Sequence, residues 1–132
     1  MWCLQGGRPA SPCGMHGHRS LRAWRSARVV SRECFLLARD CWVPWATALF
    51  GQLQRSALSV QLNIAEGWSF GPGANYTRHL GIAYGSAVET AELLDLAREL
   101  ALIPAERLGP IAEMNQLSRR LLQGLLRSRR PL

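Results

Sequence analysis

The sequence predicts an all-α fold, an antiparallel up-down four-helix bundle, on three observations. Four segments carry apolar residues that recur at threes and fours, the spacing of one helix face. Pro or Gly stands at every junction between those segments. No two segments show the polar–apolar alternation of a strand pair. Amphipathic helices joined by short links bury their stripes against one another as antiparallel neighbours.

The first helix is expected over residues 20–41, with Trp24, Ala27, Ser31, Cys34, Ala38 and Cys41 facing inward. At about 100° per residue, Arg25, Arg28, Arg32 and Arg39 fall within an arc of about 60° beside that stripe. This helix therefore has one face for a core and one cationic face. Pro44 ends it, since proline cannot continue the hydrogen-bond ladder. The second helix is expected over 46–66, with Leu49, Leu53, Ala57, Val60 and Ile64 inward and Gly67 as its stop. "GWSFGPGAN" is a loop by composition, and Asn75 is the expected N-cap of a third helix over 76–101. Leu80, Ala83, Ala87, Ala91, Leu94 and Leu100 are its core positions. Gly81, Gly85 and Ser86 sit mid-helix, where small side chains let another helix approach closely. A fourth helix follows Pro104 over 105–128, with a restart or kink at Pro110 and a stripe of Ile111, Met114, Leu117, Leu121, Leu122 and Leu125.

A chain of 132 residues with 48% apolar content can bury one core, so residues 19–132 are expected to form one bundle. Residues 1–18, rich in Gly, Pro, Cys and His without periodicity, are expected to be a disordered extension. Met15 is a candidate second start within it. No apolar run reaches membrane-spanning length and the N-terminus lacks a signal-peptide core, so a cytoplasmic protein is expected. The net charge is +7, and every basic side chain among Lys and Arg is Arg. Residues 1–50 hold seven Arg against two acids, residues 51–107 four against six, and residues 108–132 five against one. The two basic ends suit a polyanion.

Catalytic signatures are missing. No Glu has a His three residues later, as a di-iron bundle requires. "YGSAV" lacks the strand–turn–helix setting of a nucleophile elbow, and "GPG" has neither the preceding strand nor the Lys of a phosphate loop. His79 fits a bundle surface or interface better than a general base. Cys3 and Cys13 are too far apart for a structural zinc site with His16 and His18, and Cys34 and Cys41 read as buried thiols. No cofactor or metal is expected. What stands out is a line of polar residues beside the second helix's apolar stripe: Arg55, Ser59, Asn63 and Glu66, extended by Gln52. Ser86 and Glu89 offer a matching strip on the third helix. A polar seam beside a core must be paired, so Arg55, Ser59, Asn63, Glu66, Ser86 and Glu89 are assigned to a hydrogen-bond network that fixes helix register or subunit contact.

"QLQRSALSVQLNIAEG" (52–67) resembles the pattern Q-x-x-R-A-x-x-S-I-x-x-N-I-A-E-G, and "NYTRHLGIAYGSAVE" (75–89) resembles E-F-x-R-F-L-x-I-A-x-G-S-x-x-E. With "LRAW" (21–24) as the opening of the first helix, these blocks are similar to those of the 23S rRNA intervening-sequence proteins. Phe70 stands where that family carries Arg, Pro72 where it carries Ser, and Asn75 where it carries an acid. The resemblance implies a four-helix bundle that assembles as a homopentamer, with no established catalytic activity. A related branch, the accessory proteins of diversity-generating retroelements, implies a reverse transcriptase as a possible partner. The expected function is therefore non-enzymatic binding of RNA or DNA. Its phosphate contacts are Arg25, Arg28, Arg32, Arg39, Arg119, Arg120, Arg127, Arg129 and Arg130. The alternative is a protein-interaction scaffold.

Overall fold

The computed structural model describes residues 2–5, 8–12 and 17–129, with side chains described for residues 17–128. A short antiparallel strand pair, β1 (Trp2–Gln5) and β2 (Arg8–Pro12), comes first. A single 3-10 turn, Gly17–Ser20, leads into four helices: α1 (Arg22–Cys41), α2 (Thr47–Ser69), α3 (Ala74–Glu99) and α4 (Ala105–Arg129). Each helix packs on two others, α1 on α2 and α4, and α3 on α2 and α4.

The link between α1 and α2 follows from Pro44. Trp42 turns extended, and Pro44–Ala46 form one 3-10 turn, closed by the Thr47 hydroxyl donating to the Pro44 carbonyl at 2.9 Å. The second helix runs one turn further than expected. Gly67 lies inside α2, and the left-handed residue that ends it is Gly71, at φ 73°. Asn75 caps nothing; α3 begins at Ala74 behind Gly73, whose carbonyl accepts from the Thr77 amide at 3.1 Å. Helix α3 ends in a Schellman-type turn: the Leu102 amide bonds the Ala97 carbonyl at 3.0 Å around Ala101, which is held at φ 54°. Leu100, expected in the core, is the exposed C-cap, and Ala97 and Ile103 are buried in its place. Pro110 causes no restart: α4 is continuous through it, and Pro110 and Glu106 are both exposed, so the carbonyl that loses its amide partner faces water.

Two apolar clusters fill the bundle. Cys34, Leu37, Phe50, Leu53, Leu94 and Ile111 belong to one; Trp24, Val60, Ile64, Tyr76, Leu80 and Leu122 belong to the other. Burial pushes the Cys34 thiol up to about 12, with Glu33 adding to the effect, so it behaves as a small hydrophobe. Between the clusters lies a belt of buried short polar groups. Thr90 bonds Ser56 at 2.9 Å, Ser118 bonds Ser26 at 2.8 Å, and the Asn115 amide donates to the Ala87 carbonyl at 3.0 Å. The buried seam of α4 is thus Leu108, Ile111, Asn115, Ser118 and Leu122. Met114, Leu117, Leu121 and Leu125, expected in the core, are only half-buried along the boundary with α1.

Ala101 carries a left-handed backbone at a cost of roughly 1–2 kcal/mol that glycine avoids. Ala101→Gly is expected to raise unfolding stability by about 1 kcal/mol. Urea denaturation followed by circular dichroism measures it.

Candidate functional site: the polar seam and the cationic face

The "NIAEG" block does its work where α2 meets α3. An alanine-type Cβ at Gly67 would lie 2.9 Å from the His79 Cβ and 3.4 Å from the Tyr76 carbonyl oxygen. Only a residue without a side chain lets the helices come this close. Ile64, three residues earlier, is fully buried. Asn63 spans the same gap with polar chemistry. Its amide nitrogen donates to the Ser59 carbonyl at 2.9 Å, an oxygen that can only accept. That fixes the orientation of the amide and leaves Oδ1 facing His79 Nδ1 at 3.0 Å. His79 therefore carries its proton on Nδ1. Of the surface or interface positions expected for it, the ring takes one in the α2–α3 interface, 8% exposed, and Phe70 stacks on it at 5.3 Å between centroids.

The seam continues along both helices. Ser59 and Ser86 hydroxyls meet at 2.8 Å. Gln52 donates to Glu89 at 2.5 Å and accepts from Arg55 at 3.1 Å. Five of the six assigned residues are hydrogen-bonded in two groups along this seam: Ser59, Asn63 and Ser86 with His79, and Arg55 and Glu89 with Gln52. Glu66 sits at its rim, with the side chain 66% exposed and Oε2 3.9 Å from His79 Nδ1. The seam lies along the edge of the α2–α3 contact, where its hydrogen bonds tie the two helices together. His79 was legible only as a residue four positions into the second block; nothing in spacing told that it pairs with Asn63.

The cationic residues divide into separate groups. Arg25, Arg28, Arg32 and Arg39 are all exposed on the outward side of α1. Arg39 pairs with Asp40 at 2.7 Å and Arg32 lies 3.6 Å from Glu33. The Arg39 hydrogen bond, with Arg107 beside it, holds the Asp40 carboxyl below the usual carboxylate range. Arg25 and Arg28 have no ion pair among the described residues; Arg28 lies over the Trp24 ring at 5.9 Å, and Arg19 over the same ring at 5.0 Å. Arg22, not singled out from the sequence, joins Arg25 in one groove between α1 and α4 and Arg120 in the next. The first turn of α1 has no acid to offset its positive helix end, so the positive potential concentrates there.

Arg119 departs from this group: it lines a groove toward α3 with Asp95 and Arg98, and its Nε is buried. Arg127 is exposed; the side chain of Arg129 and the whole of Arg130 lie outside the described residues. So do the side chains of Cys3, Cys13 and His16, while His18 packs edge-on against Trp24. Among the described residues no group of His, Cys, Asp and Glu is arranged to hold a metal ion, and no helix is long and apolar enough to cross a membrane.

The four helices form a bundle whose α2–α3 contact is closed by Gly67, Asn63 and His79. The family pattern described as 23S rRNA-intervening sequence protein matches residues 19–124, and the chain belongs to that family. A solved structure with the same fold is that of a protein of unknown function from the S23 ribosomal protein family of Bacteroides thetaiotaomicron VPI-5482. It is 22% identical, covers 77% of this chain and 98% of its own, and superposes with a TM-score of 0.59. No curated protein matches this chain.

Removing the Asn63 side chain leaves buried His79 Nδ1–H unpaired, so Asn63→Ala is expected to cost about 1–3 kcal/mol. Glu66→Ala, at the exposed rim, should cost less than about 1 kcal/mol. Gly67→Ala should lose about 1–3 kcal/mol to overpacking, against about 1 kcal/mol of helix propensity gained. Parallel denaturant titrations of the three variants check the order.

Proposed function

We propose that this protein is a non-enzymatic, cytoplasmic, nucleic-acid-binding assembly. It would be an up-down antiparallel bundle forming a homopentamer, as the family resemblance implies, that holds RNA or DNA phosphates on α1. The observation that carries the proposal is the exposed row Arg25, Arg28, Arg32 and Arg39, with Arg25 and Arg28 free of acidic partners among the described residues. Guanidinium groups on a rigid helix meet a phosphate backbone by charge and hydrogen bonding, without reading sequence. Phe35, between Arg32 and Arg39, is the one exposed aromatic side chain within the row, so most of the row suits contacts to the backbone. Arg32 and Arg39 keep part of their charge toward Glu33 and Asp40, so the N-terminal half of α1 contributes most.

A protein-docking scaffold is the second reading. Phe35, Trp42 and Trp45 favour it, being exposed by 43%, 51% and 68% around the α1–α2 link. A reverse transcriptase is the partner that the retroelement resemblance implies.

Fluorescence anisotropy with a labelled RNA and a labelled DNA of mixed sequence separates the two. Binding is expected to weaken steeply with salt and to vary little with sequence. Arg25→Glu with Arg28→Glu should weaken it about tenfold or more and flatten the salt slope by about 2. Unchanged affinity and slope in that variant would refute the placement on α1 and move the assignment to the scaffold.

A further inference from the structure

Two helix faces stay uncovered within the chain, and their charges repeat with one period. On α4, Glu106, Glu113, Arg120 and Arg127 are spaced by seven, and all are exposed. On α3, Arg78, Gly85, Glu92 and Glu99 are also spaced by seven and exposed. Seven residues advance a helix by about 10.5 Å and return it to within about 20° of the same direction. Each set is therefore a row running along its helix. None of the seven charged side chains has an ion pair among the described residues.

Apolar surface accompanies both rows. On α3, Ile82, Leu96 and Leu100 are exposed. Cβ atoms placed on Gly81 and Gly85 would meet nothing within the chain, so the close approach those small residues permit is not used inside the bundle. On α4, Met114, Leu117 and Leu121 line grooves against α1 of 340, 300 and 410 Å³.

We propose that the α3 face of one copy packs on the α4 face of a second copy, with the two helices parallel. In that register Arg78 meets Glu106, Glu92 meets Arg120 and Glu99 meets Arg127, while Gly85 leaves room opposite Glu113. The reverse direction sets Arg78 against Arg127 and Glu99 against Glu106, so charge selects the parallel arrangement. Ile82, Leu96 and Leu100 would cover the half-buried leucines of α4. Because the two faces differ, the contact is heterologous and repeats into a closed ring or a filament. It rests on the oligomeric part of the function proposed above, and it gives Arg120 and Arg127 to assembly, sets Arg25 at the edge of the contact through the groove it shares with Met114 and Leu117, and leaves Arg28 and Arg32 open to a polyanion. An antiparallel α4–α4 contact also matches charges, Glu106 with Arg127 and Glu113 with Arg120. It leaves Ile82, Leu96, Leu100 and the glycine face of α3 in water, which is why the α3–α4 pairing is the one assigned.

Charge swapping tests it, read by light scattering coupled to size exclusion on nuclease-treated protein, with circular dichroism to check folding. Arg120→Glu with Arg127→Glu should weaken assembly roughly ten- to a hundredfold. Adding Glu92→Arg with Glu99→Arg to the same chain should restore it. Gly85→Leu should weaken assembly at unchanged helicity. Restoration by Glu106→Arg with Glu113→Arg instead would overturn the pairing in favour of α4–α4. A wild-type multimer indifferent to every one of these changes overturns this proposal alone; a wild-type protein that is monomeric overturns the oligomeric reading with it.

Discussion

The contact of Gly67 with α3 sets the distance on which the rest of the α2–α3 pair depends. With hydrogen in place of a side chain, α2 lies close enough for Asn63 to reach His79 at 3.0 Å. From that rung the ladder follows by helical periodicity. Ser59 is one turn before Asn63 and Ser86 two turns after His79, and they meet at 2.8 Å. Gln52 and Glu89 close the far end. A wider separation would leave each short side chain without its partner, and a slip by one residue would rotate the whole line off the contact. Hydroxyls and amides here do for two helices what a buried Asn does in a coiled coil: they cost apolar burial and specify register.

The same device recurs in the interior. Ser56 with Thr90, Ser26 with Ser118, and Asn115 with the Ala87 carbonyl tie all four helices at mid-height, between two apolar clusters. Leucine-rich stripes alone can slide by a turn at little cost, since one leucine replaces another. A satisfied polar belt removes that freedom, because a slide would strand buried donors and acceptors. The belt also explains α4. Its inward seam contains Asn115 and Ser118, so part of its leucine stripe is displaced toward α1 and stays half-covered.

Helix number, order and approximate limits were legible in the sequence because the apolar period and the Pro and Gly junctions are local signals. The inward positions of α1 and α2 were equally legible: Trp24, Cys34, Leu53 and Ile64 are all buried. What failed was decided by tertiary contact. Gly67 reads as a helix stop in isolation; its actual reason is the neighbouring helix, and the true stop, Gly71, is four residues on. Leucines on α4 read as core because hydropathy does not register that a Ser and an Asn pair across helices. The seam was legible as a set of residues, since unpaired polar groups beside a core are costly. Its partners, His79 above all, were not, because pairing depends on the register between two helices. The Arg row on α1 was legible from angular arithmetic, but Arg22 and the diversion of Arg119 toward α3 depend on how α4 is rotated.

That rotation separates the charges into two systems. Helix α1 presents its Arg row on the side away from the core, where only solvent or a ligand can meet it. Helix α4 presents alternating blocks of acid and base along a rim that borders half-covered leucines. A uniform basic patch binds any polyanion and repels copies of itself, whereas a row that changes sign midway has an orientation and discriminates direction. Rows of mixed sign on α3 and α4 therefore suit contacts between folded proteins, and the one-sign row on α1 suits a phosphate backbone. Both can operate at once only if they lie on different faces. Arg28 and Arg32 on the outward side of α1 meet that condition, whereas Arg25 borders the α1–α4 groove beside Met114 and Leu117.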